Sequence, residues 1–245
     1  RGRHPPCAPQ CPHRRLPHPG RSAATNSRKR MRTLAQRLDR RHVTGLVLIL
    51  HLVGLVALAT PLAPHVLPLT PLNLLLTAGA MVLFAHLDRR TVALALLVGA
   101  LGYSVEVLGV QTGRVFGAYT YGDVLGVKLL NVPLLIGLNW SMLVFAIGAV
   151  LERLRLPVWL KVAAGSAAMV ALDLLIEPVA VHLGFWTWAQ GGIPLQNYLA
   201  WGGVSAVFFT LFFAAPVRRE NPLGPAVLLA QVVFFAGLNL VLGAV

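Results

Sequence analysis

The sequence predicts an all-α, polytopic integral membrane protein with about seven transmembrane helices. Three observations predict it. Of the 245 residues, 56% are hydrophobic and 12% charged, whereas a soluble domain carries about 25% charged residues. Seven apolar stretches each approach the ~20 residues that cross a bilayer core: roughly 43–60, 70–87, 91–109, 132–151, 160–182, 196–215 and 223–244. Finally, Lys and Arg alternate between the ends of these stretches.

Arg32, Arg37, Arg40 and Arg41 precede the first stretch, and Arg89 and Arg90 follow the second. Arg153, Arg155 and Lys161 follow the fourth, and Arg218 and Arg219 follow the sixth. The opposite loops hold only Arg114 and Lys128, offset in part by Asp123. Basic residues are retained on the cytoplasmic side, so the expected topology in the cell membrane has the N-terminus cytoplasmic and the C-terminus outside. The breaks PLAPHVLPLTP at 61–71 and PVRRENP at 216–222 read as interfacial turns. Residues 31–245 read as a single transmembrane domain.

The net charge of +13 does not signal a nucleic-acid partner, because residues 1–30 hold eight of the 21 basic residues and no acid. That leaves +5 for the rest. The tail has no apolar run and no helical period, and Met31 follows it, so it reads as a disordered or non-native extension. Cys7 and Cys11 with His4 and His13 do not have the usual zinc spacing, and no metal site is expected. There is no P-loop, G-x-S-x-G, H-E-x-x-H or D-D-x-x-D motif, which argues against an ATPase, a serine hydrolase, a zinc protease and a membrane prenyltransferase.

Ionisable groups in a membrane core cost several kcal/mol unless paired or hydrated. Three acids therefore stand out: Glu106, Asp173 and Glu177. The last two are four apart, on one face of the fifth span, where they can share a proton or a water. Hydrogen bonds between helices are the simpler explanation for one such acid and a weaker one for three at similar depth. Pro178 has no N–H for the Leu174 carbonyl, which suggests a kinked, hydrated helix beside the acids. Gly102, Gly109 and Gly113 leave one face of the third span bare around Glu106, as close helix packing requires.

Two outer loops, GVQTGRVFGAYTYGDVLGVKLLNVPL and GFWTWAQGGIPLQNYLAW, are rich in Gly and aromatics. Interfacial belts account for part of this. With the acids, the loops outline a lipid-accessible cavity walled by Phe116, Tyr119, Tyr121, Trp186, Trp188 and Trp201, with carboxyl groups at its floor. Asn139, Trp140 and Asn197 can add hydrogen-bonding groups to it.

The run EVLGVQTGRVFGAYTYG from Glu106 to Gly122, VPL from Val132, Asn139-Trp140, DLLIEPV from Asp173, WTW at 186–188 and IPLQNYLAW from Ile193 resemble the CruF-type carotenoid biosynthesis family. The resemblance spans about residues 43–240. Glu177-Pro178 stands where the family usually has Asp-Pro, and Ala200 where it has Gly, so the carboxyl is kept. The resemblance implies hydration of the terminal double bond of an acyclic carotenoid, giving a tertiary alcohol at C-1′ without a cofactor. It also implies a catalytic role for Asp173, Glu177 and Glu106, with the substrate held in the bilayer. Water is the co-substrate, and other carotenoid biosynthesis enzymes are candidate partners. The rival readings are a carotenoid cyclase, since the same cation closes to a ring when water is excluded, and a proton-coupled transporter.

The tail reading has a direct test. A chain beginning at Met31 should insert and act like the full chain, and failure of either, measured by membrane fractionation and pigment analysis, would assign the tail a role.

Overall fold

The computed structural model describes Gly2 and residues 39–243 of the chain, so the predictions for Cys7, Cys11 and the basic tail fall outside the described residues. Seven helical segments are long and apolar enough to cross a membrane, and the chain is a multi-pass membrane protein. The first is α1 (Arg40–Leu58). The second is compound: α2 (Ala63–Val66), a 3₁₀ turn (Leu67–Leu69) and α3 (Thr70–Leu83). The others are α4 (Arg89–Thr112), α5 (Leu135–Glu152), α6 (Val158–His182), α7 (Leu195–Ala214) and α8 (Gly224–Leu242).

Two expectations are corrected. The stretch 61–71 is not an interfacial turn but largely the helical start of the second span, which runs Ala63–Leu83. Each of its prolines, Pro64, Pro68 and Pro71, falls in the first turn of a short helical piece, where its missing N–H costs no hydrogen bond. The fourth span begins at Leu135 rather than 132, because Val132 and Pro133 form the short strand β3, paired antiparallel with β2 (Lys128–Leu129).

The loops hold a second ribbon that hydropathy does not reveal. Strand β1 (Tyr119–Tyr121) pairs antiparallel with β4 (Trp186–Trp188), with Tyr119 opposite Trp188 and Tyr121 opposite Trp186. Side chains alternate across a strand, so Thr120 and Thr187 share the outer face, their hydroxyls 3.2 Å apart. The four aromatics share the inner face.

Helix α5 is the centre of the bundle: 67% of its spanning window is buried, against 22–39% for the other spans. It packs against α3, α4, α6, α7 and α8. Its contact with α4 is close because both helices are bare at the crossing. A Cβ at Gly137 would meet the Gly99 carbonyl oxygen at 2.7 Å. Beside them the Ser141 hydroxyl donates to the Ala95 carbonyl. The outward faces of the other helices carry exposed Leu and Val, such as Leu96, Leu199 and Leu240, as a lipid-facing surface requires.

The two ends of the bundle differ. At one, Glu152 pairs with Lys161 at 3.0 Å and with Arg219 at 3.5 Å. Arg219 also donates to the carbonyls of Phe212, Phe213 and Ala215, satisfying the last turn of α7. Asp88 accepts from the Thr91 amide at the start of α4, which holds its carboxyl below the usual range. Both ribbons lie at the other end. There Lys128 donates to the Tyr121 carbonyl and to Asp123, each at 2.8 Å, holding the Asp123 carboxyl below its usual range.

The charge alternation and these two ends predict that the ribbons face outward. With Cys7 and Cys11 replaced by Ser, single cysteines test this best at Gly192, where an added Cβ meets nothing, and at exposed Arg155. Gly192→Cys should react with an impermeant thiol reagent in intact cells and Arg155→Cys only after lysis; the opposite result would invert the topology.

Candidate active site

The three acids lie near the ribbon end. At a rise of 1.5 Å per residue, Glu177, Glu106 and Asp173 sit about 8, 9 and 14 Å from the ends of α6, α4 and α6. All three are buried. No water reaches a buried carboxyl freely, so its partners must come from the protein.

Glu106 takes its partners from the first ribbon strand and from α5. Its Oε2 accepts from the Tyr119 hydroxyl at 2.5 Å and the Tyr121 hydroxyl at 2.9 Å, and its Oε1 accepts from the Trp140 indole at 3.0 Å. Burial, and next the charge of Glu106, push both phenols far above their ordinary range, so each keeps its proton as a donor at every physiological pH. Glycines make room for these donors. A Cβ at Gly102 would meet Trp140 at 2.7 Å, and one at Gly109 would meet Phe116 at 2.7 Å and the Tyr119 oxygen at 3.2 Å. Gly113 is not part of this bare face but the left-handed cap of α4, with φ +64°.

Glu177 takes its partners from the second strand. Its Oε2 accepts from the Trp186 and Trp188 indoles at 3.0 and 2.9 Å. Its Oε1 accepts from Asn197 Nδ2 at 3.1 Å, and the same nitrogen donates to Asp173 Oδ2 at 2.7 Å. Asn197 thus joins the two carboxyls of α6. Asp173 Oδ1 is buried with no hydrogen-bond partner among the described residues.

These groups enclose a cavity of about 240 Å³. All nine residues expected to wall or edge it do line it, together with Glu106 and Glu177. Asp173 does not; it is joined to the lining through Asn197. The Trp140 and Trp201 rings stack with centroids 4.3 Å apart, and Tyr119 lies 5.0 Å from Trp188. Pro178 sits inside a continuous α6, and Leu174, whose carbonyl it frees, is half exposed and outside the lining. The polarity of the cavity comes from side chains.

Sequence reasoning missed that the tyrosines and tryptophans are hydrogen-bond donors to the acids rather than only a wall. The alternation Y-T-Y and W-T-W was the available signal, since period two is the mark of a strand with one buried face. It also missed the polar lining from α1, α3 and α8, which contribute His51, Asn73 and Gln231.

Fold and site together define a multi-pass membrane protein with an aromatic, carboxyl-bearing cavity near one membrane face. A family model described as carotenoid biosynthesis protein matches residues 69–245, and the chain belongs to that family. It is similar to bisanhydrobacterioruberin hydratase of Haloarcula japonica, 30% identical over 218 residues covering 77% of this chain and 71% of that protein. No solved structure matches.

Because two phenols serve the same oxygen of Glu106, removing one leaves the other. Tyr121→Phe should lower turnover severalfold while the protein stays inserted, and Trp188→Phe, with Trp186 still donating, should behave alike. Complete loss from Tyr121→Phe at normal expression, read by pigment chromatography, would make the phenol the proton donor.

Proposed function

We propose that the chain hydrates the terminal C-1′,2′ double bond of an acyclic carotenoid, using acid catalysis and no cofactor. The observation that carries this reading is that two carboxyls from different helices, Glu106 and Glu177, face one aromatic cavity. Membership of a carotenoid biosynthesis family and similarity to a hydratase support it. A cavity of this size suits one end of a polyene rather than its whole length, and the rest of the chain can remain among the lipids.

Adding water across an isopropylidene end requires a proton for one carbon, stabilisation of the cation left on the other, and one water. The Asp173–Glu177 pair, joined through Asn197, holds one proton between its carboxyls, and Glu177 delivers it to C-2′ because Glu177 faces the cavity. The tertiary cation at C-1′ is stabilised by the Glu106 carboxylate and by the faces of the Tyr and Trp rings. Water adds to C-1′ and returns a proton to the carboxyl pair. The alkene and one water are consumed, one tertiary alcohol forms, and nothing is oxidised or reduced. Glu106, fixed by three donors, needs no rearrangement as the charge develops.

General acid catalysis is worth roughly 10²–10⁴ in rate. Glu177→Gln should fall that far, Asp173→Asn should also fall through loss of the shared proton, and Glu106→Gln should lose activity while setting an amide against the Trp140 or tyrosine donors. The assay is pigment analysis of a lycopene-producing host. The expected product is one water heavier than its precursor and carries one solvent deuterium at C-2′ in heavy water. A product of unchanged mass would mean cyclisation, and near-normal hydration by both α6 amides would remove the acid pair from the mechanism.

A further inference from the structure

The cavity has further polar lining that the proposed hydration step does not use. His51 on α1 and Gln231 on α8 are both more than nine-tenths buried, and with Asn73 on α3 they line the same cavity as Glu106 and Glu177. None of these three helices contributes to the acid wall.

The hydrogen bonds determine what this wall offers. His51 Nδ1 lies 2.8 Å from the Val47 carbonyl, which can only accept, so Nδ1 carries the proton. Its Nε2 lies 3.2 Å from Gln231 Nε2, which can only donate, so Nε2 is the acceptor. The imidazole is thereby a neutral ring in one tautomer, and the edge of Phe234, with centroids 5.9 Å apart, packs against it. The Gln231 amide nitrogen makes the bond to His51, and its carbonyl oxygen has no partner among the described residues. The Asn73 carbonyl oxygen is buried and has no partner among the described residues. The wall therefore presents acceptors without charge, inside a lining whose only carboxyls are Glu106 and Glu177.

We propose that His51, Gln231 and Asn73 form a second ligand station in this cavity, which takes a neutral O–H group beside the reacting alkene. An anion would find no Lys or Arg in the lining, and a hydrocarbon would leave the buried Asn73 carbonyl oxygen without a partner. A hydroxyl donates to the Asn73 or Gln231 oxygen and restores the missing bond. Two sources supply that chemistry: an alcohol on the ligand's own end group, or a water held for addition. In the first case the station selects end groups that already carry a hydroxyl.

The test has two arms, and only the second rests on the hydration reading. In the first, the full chain in detergent is titrated with linalool and with dihydromyrcene, which share a carbon skeleton and an isopropylidene end and differ by one hydroxyl. Binding is followed through the emission of the four cavity tryptophans, Trp140, Trp186, Trp188 and Trp201. An alcohol station predicts that linalool binds about fivefold to tenfold tighter, one neutral hydrogen bond's worth, and that Gln231→Leu and His51→Phe each abolish the difference. In the second arm, the same variants are assayed for water addition to lycopene. A water station predicts equal binding of the two terpenes in the unaltered protein, with hydration slowed at least fivefold in both variants while they retain as much lycopene. No preference for linalool together with unchanged hydration would overturn the proposal and leave His51–Gln231 as a tie between α1 and α8. If the unaltered protein hydrates nothing, the hydration reading fails, and the first arm alone decides the station: no preference for linalool then overturns it.

Discussion

A carboxyl group below the membrane surface has no water to turn to, and the structure follows from that constraint. A buried acid must take its hydrogen bonds from the protein. Glu106 and Glu177 together accept six hydrogen bonds, and five of the donors are phenols or indoles. Aromatic donors suit the place because the rest of each ring is apolar and packs in the bundle. The requirement extends to the backbone: Gly102 and Gly109 are small because Trp140, Phe116 and Tyr119 must reach past them.

The same aromatics also line the cavity. A ring whose edge or hydroxyl holds a carboxyl still offers its face to a ligand. Positioning the acid and shaping the cavity are therefore one task for Tyr119, Trp140 and Trp188, and they cannot be altered separately. Asp173 is different. Among the described residues it has a single donor, Asn197, which also donates to Glu177, and it does not line the cavity.

Much of this was legible in the sequence. The seven spans follow from hydropathy and the position of Arg and Lys, both of which are local properties. The acid trio stands out because any ionisable residue does in an apolar run, and the residues predicted to wall the cavity do so. What was not legible depends on pairing across distance. The β1–β4 ribbon joins strands 67 residues apart, and only that pairing turns the aromatics inward. That Glu177 lines the cavity and Asp173 does not depends on the packing of α6 with α7, where Asn197 donates to both. Pro64, Pro68 and Pro71 read as a break because their position in each short helix, not their number, makes them tolerable. His51 and Gln231 were passed over as uncharged residues in apolar spans, although they lie 180 residues apart and meet.

The sequence distances of these bonds bear on how the chain is made. The donors to Glu106 lie 13, 15 and 34 residues after it, and those to Glu177 lie 9, 11 and 20 residues after it. Each acid therefore precedes its own donors by at most one hairpin of two spans. During synthesis, a span carrying a carboxyl waits only for the next loop and helix to emerge before it is satisfied, so it can leave the insertion machinery as part of a hairpin rather than alone. The two hairpins are joined across the ribbon, where Thr120 meets Thr187. The cavity is complete only when α8 has followed, because His51, Asn73 and Gln231 from α1, α3 and α8 also line it.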